Sequence, residues 1–82
     1  MTYYVYLVIS KIKKKTISYV GYTKDLNKRL ILHNSGKGAK FTRGRLWKLA
    51  YSKKYRSKTK AMSEEYKLKK NFKLRKTIKF NA

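Results

Sequence analysis

Tyr3-Tyr4-Val5-Tyr6-Leu7-Val8-Ile9 is the stretch that decides the fold. It is aromatic and β-branched, and apolar on both alternating faces, so it reads as a strand covered on both sides. The basic residues 11–15 follow as a turn, and Ile17-Ser18-Tyr19-Val20-Gly21-Tyr22 returns as the second strand of a hairpin. Beyond the hairpin, Thr23 is positioned to cap a helix running to about Asn34, with Asp25 near its positive end. The glycines of Ser35-Gly36-Lys37-Gly38-Ala39-Lys40 end that helix. Residues 46–51 alternate and predict a third strand with Trp47, Leu49 and Tyr51 on its apolar face. Ser57 or Thr59 caps a second helix carrying Met62, Glu65, Tyr66 and Leu68. Residues 71–82 alternate basic and apolar side chains, as a short third helix or a docked tail. The order ββαβα predicts an α+β fold: a three-stranded, mainly antiparallel sheet flanked by two or three helices. One domain is expected over residues 1–82, its core at about residues 3–70.

Composition restricts the chemistry. The chain has 82 residues, no cysteine, one histidine and three acidic residues, Asp25, Glu64 and Glu65. Disulfides and thiolate-bound zinc are excluded, as is a metal cage built from many protein ligands. A metal here would be a hard cation held by one carboxylate, waters and substrate phosphates, as magnesium usually is. The formal charge is +21, which repels itself and favours a polyanionic partner. Nucleic acid is the first candidate and an anionic membrane surface the second. The basic C-terminal segment lacks the clean apolar face that membrane-surface binding requires, so no membrane partner is expected. The apolar run from Tyr3 to Ile9 is too short to span a bilayer and lacks the flanks of a signal peptide. A soluble, cytoplasmic protein is the expectation.

Helical phase singles out three side chains. At about 100° per residue, Leu26 and Leu30 form the centre of the first helix's buried stripe, with Arg29 and His33 on its flank. Arg29 either lies along the surface or walls a groove with His33. In the second helix, Ala61, Leu68 and Phe72 share one side and Met62 and Tyr66 another. Glu65 projects between them and Glu64 points away. A carboxylate in an apolar arc needs a cation. Lys69, one turn on, and a divalent metal are the two candidates. There are eight tyrosines, and in basic surroundings a phenol becomes a better proton acceptor. The segment Gly36-Lys37-Gly38 follows a helix and lacks P-loop spacing, so no nucleotide cofactor is expected. Backbone amides there, with Lys37, Lys40, Arg43 and Arg45, are candidates for contact with a nucleic-acid backbone.

Together these residues resemble the GIY-YIG nuclease superfamily, which includes the N-terminal endonuclease domain of the UvrC repair protein. The likeness is greatest to the small stand-alone bacterial members. Tyr4-Val5-Tyr6 matches the first signature and Tyr19-Val20-Gly21 the second. The family's arginine, ten residues after the second-signature tyrosine, falls on Arg29. The His or Tyr one turn later is His33, and the helical metal-binding glutamate is Glu65. The sequence departs from the family pattern twice. Tyr4 replaces the name-giving glycine, and the asparagine that many members carry after the glutamate has no counterpart, Asn71 being too close to Glu65.

The resemblance implies a metal-dependent endonuclease that hydrolyses phosphodiester bonds, of DNA more than RNA, with little sequence specificity, in repair or recombination. Glu65 would hold one Mg²⁺ or Mn²⁺, and Arg29 would neutralise charge on the phosphate. Tyr6 or Tyr19 would accept a proton from the attacking water, and His33 would assist that transfer or bind substrate. The rival reading is a non-catalytic basic nucleic-acid-binding module on the same fold.

Overall fold

The computed structural model describes residues 1–81. It contains β1 (Tyr3–Ile12), β2 (Lys15–Thr23), α1 (Leu26–Asn34), β3 (Lys48–Tyr55), α2 (Lys58–Lys70) and α3 (Phe72–Asn81). The strands form one sheet in the order β2-β1-β3, antiparallel throughout. The fold class is therefore the expected α+β, with three helices. Residues 71–81 resolve as Asn71 followed by the helix, and Ala82 lies outside the described residues.

β1 sits in the middle because it alone is apolar on both faces. Val5, Leu7 and Ile9 point into a core with Val20 of β2 and Ala61 and Leu68 of α2, against which Ile78 of α3 also packs. Tyr6 and Val8 point the other way, into a core with Trp47, closed by Ile17, Tyr19, Leu26 and Leu30. Helices thus cover both sides of the sheet, α2 and α3 on one and α1 on the other. Burying apolar surface on two faces of one strand is how so short a chain obtains enough hydrophobic stabilisation to fold.

Several local expectations are corrected. The hairpin turn is tighter than residues 11–15: Ile12 pairs with Lys15, leaving Lys13 and Lys14 at the tip, with Lys13 at a φ of 55°. Two-residue hairpin loops require such a positive φ to match strand twist. Asp25, not Thr23, caps α1, its carboxylate accepting from the Lys28 amide at 3.1 Å. Thr23 instead accepts from the Asp25 amide at 3.2 Å and steadies the cap. Ser57 caps α2.

β3 begins at Lys48 and extends to Tyr55, beyond the predicted residue 51. Its register against β1 shifts between Leu7 and Val8, whose partners are Tyr51 and Leu49. That bulge breaks the alternation. Ala50 and Tyr51 both pack on the α2-side core, Leu49 stays 37% exposed, and Trp47 is buried ahead of the strand.

Phe72 also departs from its phase and is 64% exposed. The helix breaks at Asn71, whose backbone leaves the helical region and whose side chain accepts from the Leu74 amide at 3.1 Å. Asn71 is therefore a cap between two helices, and the helical phase that grouped Phe72 with Ala61 and Leu68 does not carry across it. Glu64 does not point away into water: it is partly buried, with Lys67 Nζ at 3.0 Å and Lys60 Nζ at 3.7 Å.

Leu7 is fully enclosed at the centre of the sheet. Leu7→Ala is expected to lower the unfolding free energy by about 2–5 kcal/mol, as read from urea-unfolding midpoints at unchanged slope.

Candidate active site

Tyr6 lies in mid-strand on the α1 side of the sheet, 1% exposed. Its hydroxyl is 2.8 Å from His33 Nε2 and accepts from Arg29 Nε at 3.2 Å. Arg29 and His33 are one helical turn apart on α1, so one phenol reaches both. Below His33, its Nδ1 stands 2.9 Å from Thr42 Oγ1, and Thr42 donates to the carbonyl of Ala39 at 3.0 Å. His33 is 1% exposed and Thr42 is fully buried. The flank position expected of His33 is thus an interior one, because that side of α1 rests on Tyr6 itself.

The ends of this chain orient its protons. A guanidinium only donates and a carbonyl only accepts. Thr42 spends its one hydroxyl proton on Ala39, so it accepts from His33 Nδ1–H. The free lone pair on Nε2 then accepts from the Tyr6 hydroxyl, which accepts from Arg29. Every buried polar atom in the line is satisfied with a neutral imidazole. Burial, helped by the charge of Arg29, holds the His33 pKa below its ordinary value. Burial also holds the Tyr6 phenol above the ordinary tyrosine range, against the opposing hydrogen bond and charge of Arg29. Basic surroundings were expected to make such a phenol more acidic. At Tyr6, loss of hydration outweighs the neighbouring cation, and Tyr19 and Glu65 push in the same direction as burial.

Two glycines make room for the pair. A Cβ on Gly21, the residue opposite Tyr6 on the edge strand β2, would stand 2.5 Å from the Tyr6 hydroxyl. A Cβ on Gly38 would collide with His33 Nδ1. The loop read as a candidate phosphate cradle is therefore packed, at Gly38, against the histidine ring. Asn34 ties down the far end of that loop, accepting from the Trp47 amide at 2.6 Å and donating to the Trp47 carbonyl at 3.1 Å.

Tyr19 packs edge-on against the His33 ring, with centroids 5.2 Å apart. Glu65 comes from α2, on the opposite layer, and is close enough for its charge to oppose ionisation of Tyr6. Tyr6, Tyr19, Arg29 and His33 are thus drawn from three elements into one cluster, while the contact Glu65 makes is with Lys69 on its own helix.

A family model described as the GIY-YIG catalytic domain matches residues 2–79. The chain belongs to the GIY-YIG family. It is similar to a UPF0213 protein of Streptococcus pneumoniae, with 58% identity over 52 residues, 62% of this chain and 52% of that protein. It is also similar to a UPF0213 protein of Oceanobacillus iheyensis, with 45% identity over 65 residues, 78% of this chain and 74% of that one. The solution NMR structure of a UPF0213 protein from Bacillus halodurans is 41% identical, with a TM-score of 0.49, covering 94% of this chain and 80% of its own. The chain spans about half the length of the streptococcal relatives it matches.

Within this GIY-YIG domain, no group of three or more His, Cys, Asp or Glu side chains is gathered among the described residues. Glu65 supplies one carboxylate, 18% exposed, with Lys69 Nζ as a loose partner at 3.6 Å. That donor set fits a single hard cation completed by water and phosphate, and does not fit a closed protein cage. Of the two cations considered for Glu65, the structure places Lys69 beside it, in an open pairing.

The proposed nucleic-acid contacts are less concentrated. Lys37, Lys40 and Arg43 are exposed on the loop after α1, while Arg45 sits over the Phe41 ring at 5.4 Å. Sequence reasoning passed over Thr42 and Phe41. Thr42 carries no periodic signal, since it lies in a loop. Phe41, an aromatic residue amid Lys40, Arg43 and Arg45, was the visible clue.

The neutral His33 has a stability consequence. Its folded pKa lies below its unfolded one, so the unfolded chain takes up the proton first as pH falls. The contribution is complete above the unfolded value of about 6.5 and is lost as pH drops below it. Wild type is expected to lose stability on going from about pH 7 to about pH 5, by at most about 1.4 kcal/mol per pH unit from this group. His33→Gln, measured by thermal melts across the same range, is expected to show a shallower dependence.

Proposed function

We propose that this protein is a metal-dependent endonuclease hydrolysing phosphodiester bonds, acting on DNA in preference to RNA, with little sequence specificity, in repair or recombination. The observation that carries the chemical reading is the Arg29–Tyr6 hydrogen bond at 3.2 Å. Because Arg29 is held through Nε, its two terminal nitrogens are left for the non-bridging oxygens of a phosphate. Membership of the GIY-YIG family supports the same reaction class.

Roles follow from exposure. Tyr6 and His33 are enclosed and already hydrogen-bonded, so they act as positioning residues that aim Arg29 and hold the floor of the site. Tyr19, only half-buried, is the phenol that meets water and accepts its proton. Glu65 would hold one Mg²⁺ or Mn²⁺, which when bound supplies neutralisation of the scissile phosphate and of the departing oxygen. The water oxygen bonds to phosphorus as its proton passes to the Tyr19 oxygen. That step requires Tyr19 to have first released its own hydroxyl proton to solvent, so that it enters as phenolate and leaves as phenol. The bond from phosphorus to the ester oxygen breaks, and the departing oxygen takes a proton from solvent. Arg29 stabilises the charge that builds on the phosphate between these events. Lys37, Lys40, Arg43 and Arg45 hold the neighbouring phosphates without reading base edges, so affinity should fall steeply with salt.

Supercoiled plasmid incubated with Mg²⁺ or Mn²⁺ tests the reading. Wild type is expected to nick it, and Glu65→Gln and Arg29→Ala are each expected to lose about 10²–10³ in rate. Tyr19→Phe should lose cleavage at unchanged stability. Tyr6→Phe should lose cleavage and also about 1–3 kcal/mol of stability, since the His33 Nε2 acceptor is left unpaired. Equal nicking by wild type, Glu65→Gln and Arg29→Ala would overturn the site assignment. Salt-sensitive binding with no cleavage of any substrate would instead favour a non-catalytic binding module.

A further inference from the structure

A hollow of about 250 Å³ opens beside Tyr19, lined by Ser18, Tyr19, Val20, Phe41, Lys69 and Arg75. Two of its walls are aromatic and two of its rim residues are cationic. Phe41 is 51% exposed, although it lies in a loop that is otherwise tied down around Thr42 and Trp47. The Phe41 and Tyr19 rings are nearly parallel, at 22°, with centroids 6.1 Å apart. That is at the outer end of the range for an aromatic pair, so the rings are aligned without being closely stacked. On its flank Phe41 carries the Arg45 guanidinium at 5.4 Å.

Of the two rim cations, Lys69 has only its open pairing with Glu65 at 3.6 Å, and Arg75 has no acidic partner among the described residues. Arg75 Nε is buried and finds no acceptor among the described residues. Two of the three acidic side chains are committed elsewhere, Asp25 capping α1 and Glu64 bridging Lys60 and Lys67, which leaves the loose Glu65 contact as the one carboxylate beside the rim. An anion is what this rim can still accept, and a flat π-system is what its walls can still accept. A nucleotide combines the two. Within a duplex the faces of the bases are covered by their neighbours, so only a base outside a helix can offer its face to Phe41.

We infer that the hollow formed by Phe41, Tyr19, Lys69 and Arg75 is a stacking subsite for one unpaired nucleobase, which makes single-stranded or locally unpaired nucleic acid the preferred substrate class. The inference rests on nucleic acid being the substrate, and it adds the substrate's structure. Phe41 stacks on the base face, Tyr19 flanks it from the side of the reacting phosphate, and Lys69 and Arg75 take phosphate oxygens. Because Tyr19 belongs to both the hollow and the site, the captured nucleotide is adjacent to the bond that is cut.

The test is a binding measurement, made in the Glu65→Gln background without divalent metal, so that a failure of the nuclease reading leaves it interpretable. The probe is a short oligonucleotide carrying one 2-aminopurine, in deoxy and ribo forms, single-stranded or annealed to its complement, at fixed salt. Single strands are expected to bind more tightly than the duplex and to change 2-aminopurine fluorescence through stacking. Phe41→Leu keeps an apolar side chain against Trp47 but removes the flat ring, and is expected to weaken single-strand binding about 10-fold while leaving duplex binding unchanged. Phe41→Trp should restore it. Duplex bound as tightly as single strand, or Phe41→Leu binding single strands within about 2-fold of its parent when a base stack should contribute far more, would overturn the subsite. Loss of both single-strand and duplex binding in Phe41→Leu with unchanged melting temperature would also overturn it, since a stacking subsite affects only the unpaired base.

Discussion

The hydroxyl of Tyr6 is the point on which the site depends. It joins residues 23 and 27 positions away in sequence, Arg29 and His33, and does so from the most protected strand of the sheet. An enclosed phenol must place both its proton and its lone pair, or the cost of burying it is not recovered. Here the proton goes to a neutral imidazole and a lone pair to a guanidinium. The same requirement propagates downward through His33 to Thr42 and the Ala39 carbonyl. One buried hydroxyl therefore sets the tautomer of the histidine, the aim of the arginine and the path of the loop after α1. Gly21 and Gly38 belong to this arrangement as much as the polar residues, because any side chain at either position would occupy the space taken by Tyr6 or His33.

Charge sets the second constraint. With 24 basic residues and 3 acidic ones, most cations have no carboxylate to pair with. The few acidic groups sit where a local field calls for them. Asp25 is at the positive end of α1, Glu64 lies between two lysines, and Glu65 faces Lys69 one turn along α2. The chain is thus stable as a fold mainly through its two apolar layers, while its electrostatics are left unsatisfied over much of the surface. A polyanion relieves that repulsion on binding. The cations differ in setting, however. Lys37, Lys40 and Arg43 are simply exposed, whereas Arg45 lies over Phe41, and Lys69 and Arg75 rim a hollow with aromatic walls. General attraction and local recognition are carried by different members of the same excess.

Much of this was legible in the residues. The two-faced apolar character of Tyr3–Ile9 specifies a central strand, because no single-sided environment satisfies it. The order of elements follows from where periodicity changes from two to 3.6. Arg29, His33 and Glu65 are conspicuous by phase alone. Errors fell where a period is interrupted: the bulge opposite Leu7 and Val8 that leaves Leu49 partly exposed, and the break at Asn71 that releases Phe72. A period assumes an unbroken element, and one residue inserted or one cap formed resets every side chain beyond it.

What the sequence by itself determined is the strand order's central member, the helical faces and the charge. What only the tertiary structure decided is which faces meet. Helical phase gives the angle of His33 about the axis of α1, but not that Tyr6 lies opposite it, which turns a boundary residue into an enclosed one and a basic-looking phenol into one that burial keeps protonated. Thr42 and Phe41 have no periodic signal at all, since they lie in a loop whose course is set by Asn34 holding Trp47 at its far end and by Gly38 packing against His33. Proximity between residues distant in the chain arises from packing the layers together, and a one-dimensional pattern contains the layers without their contacts.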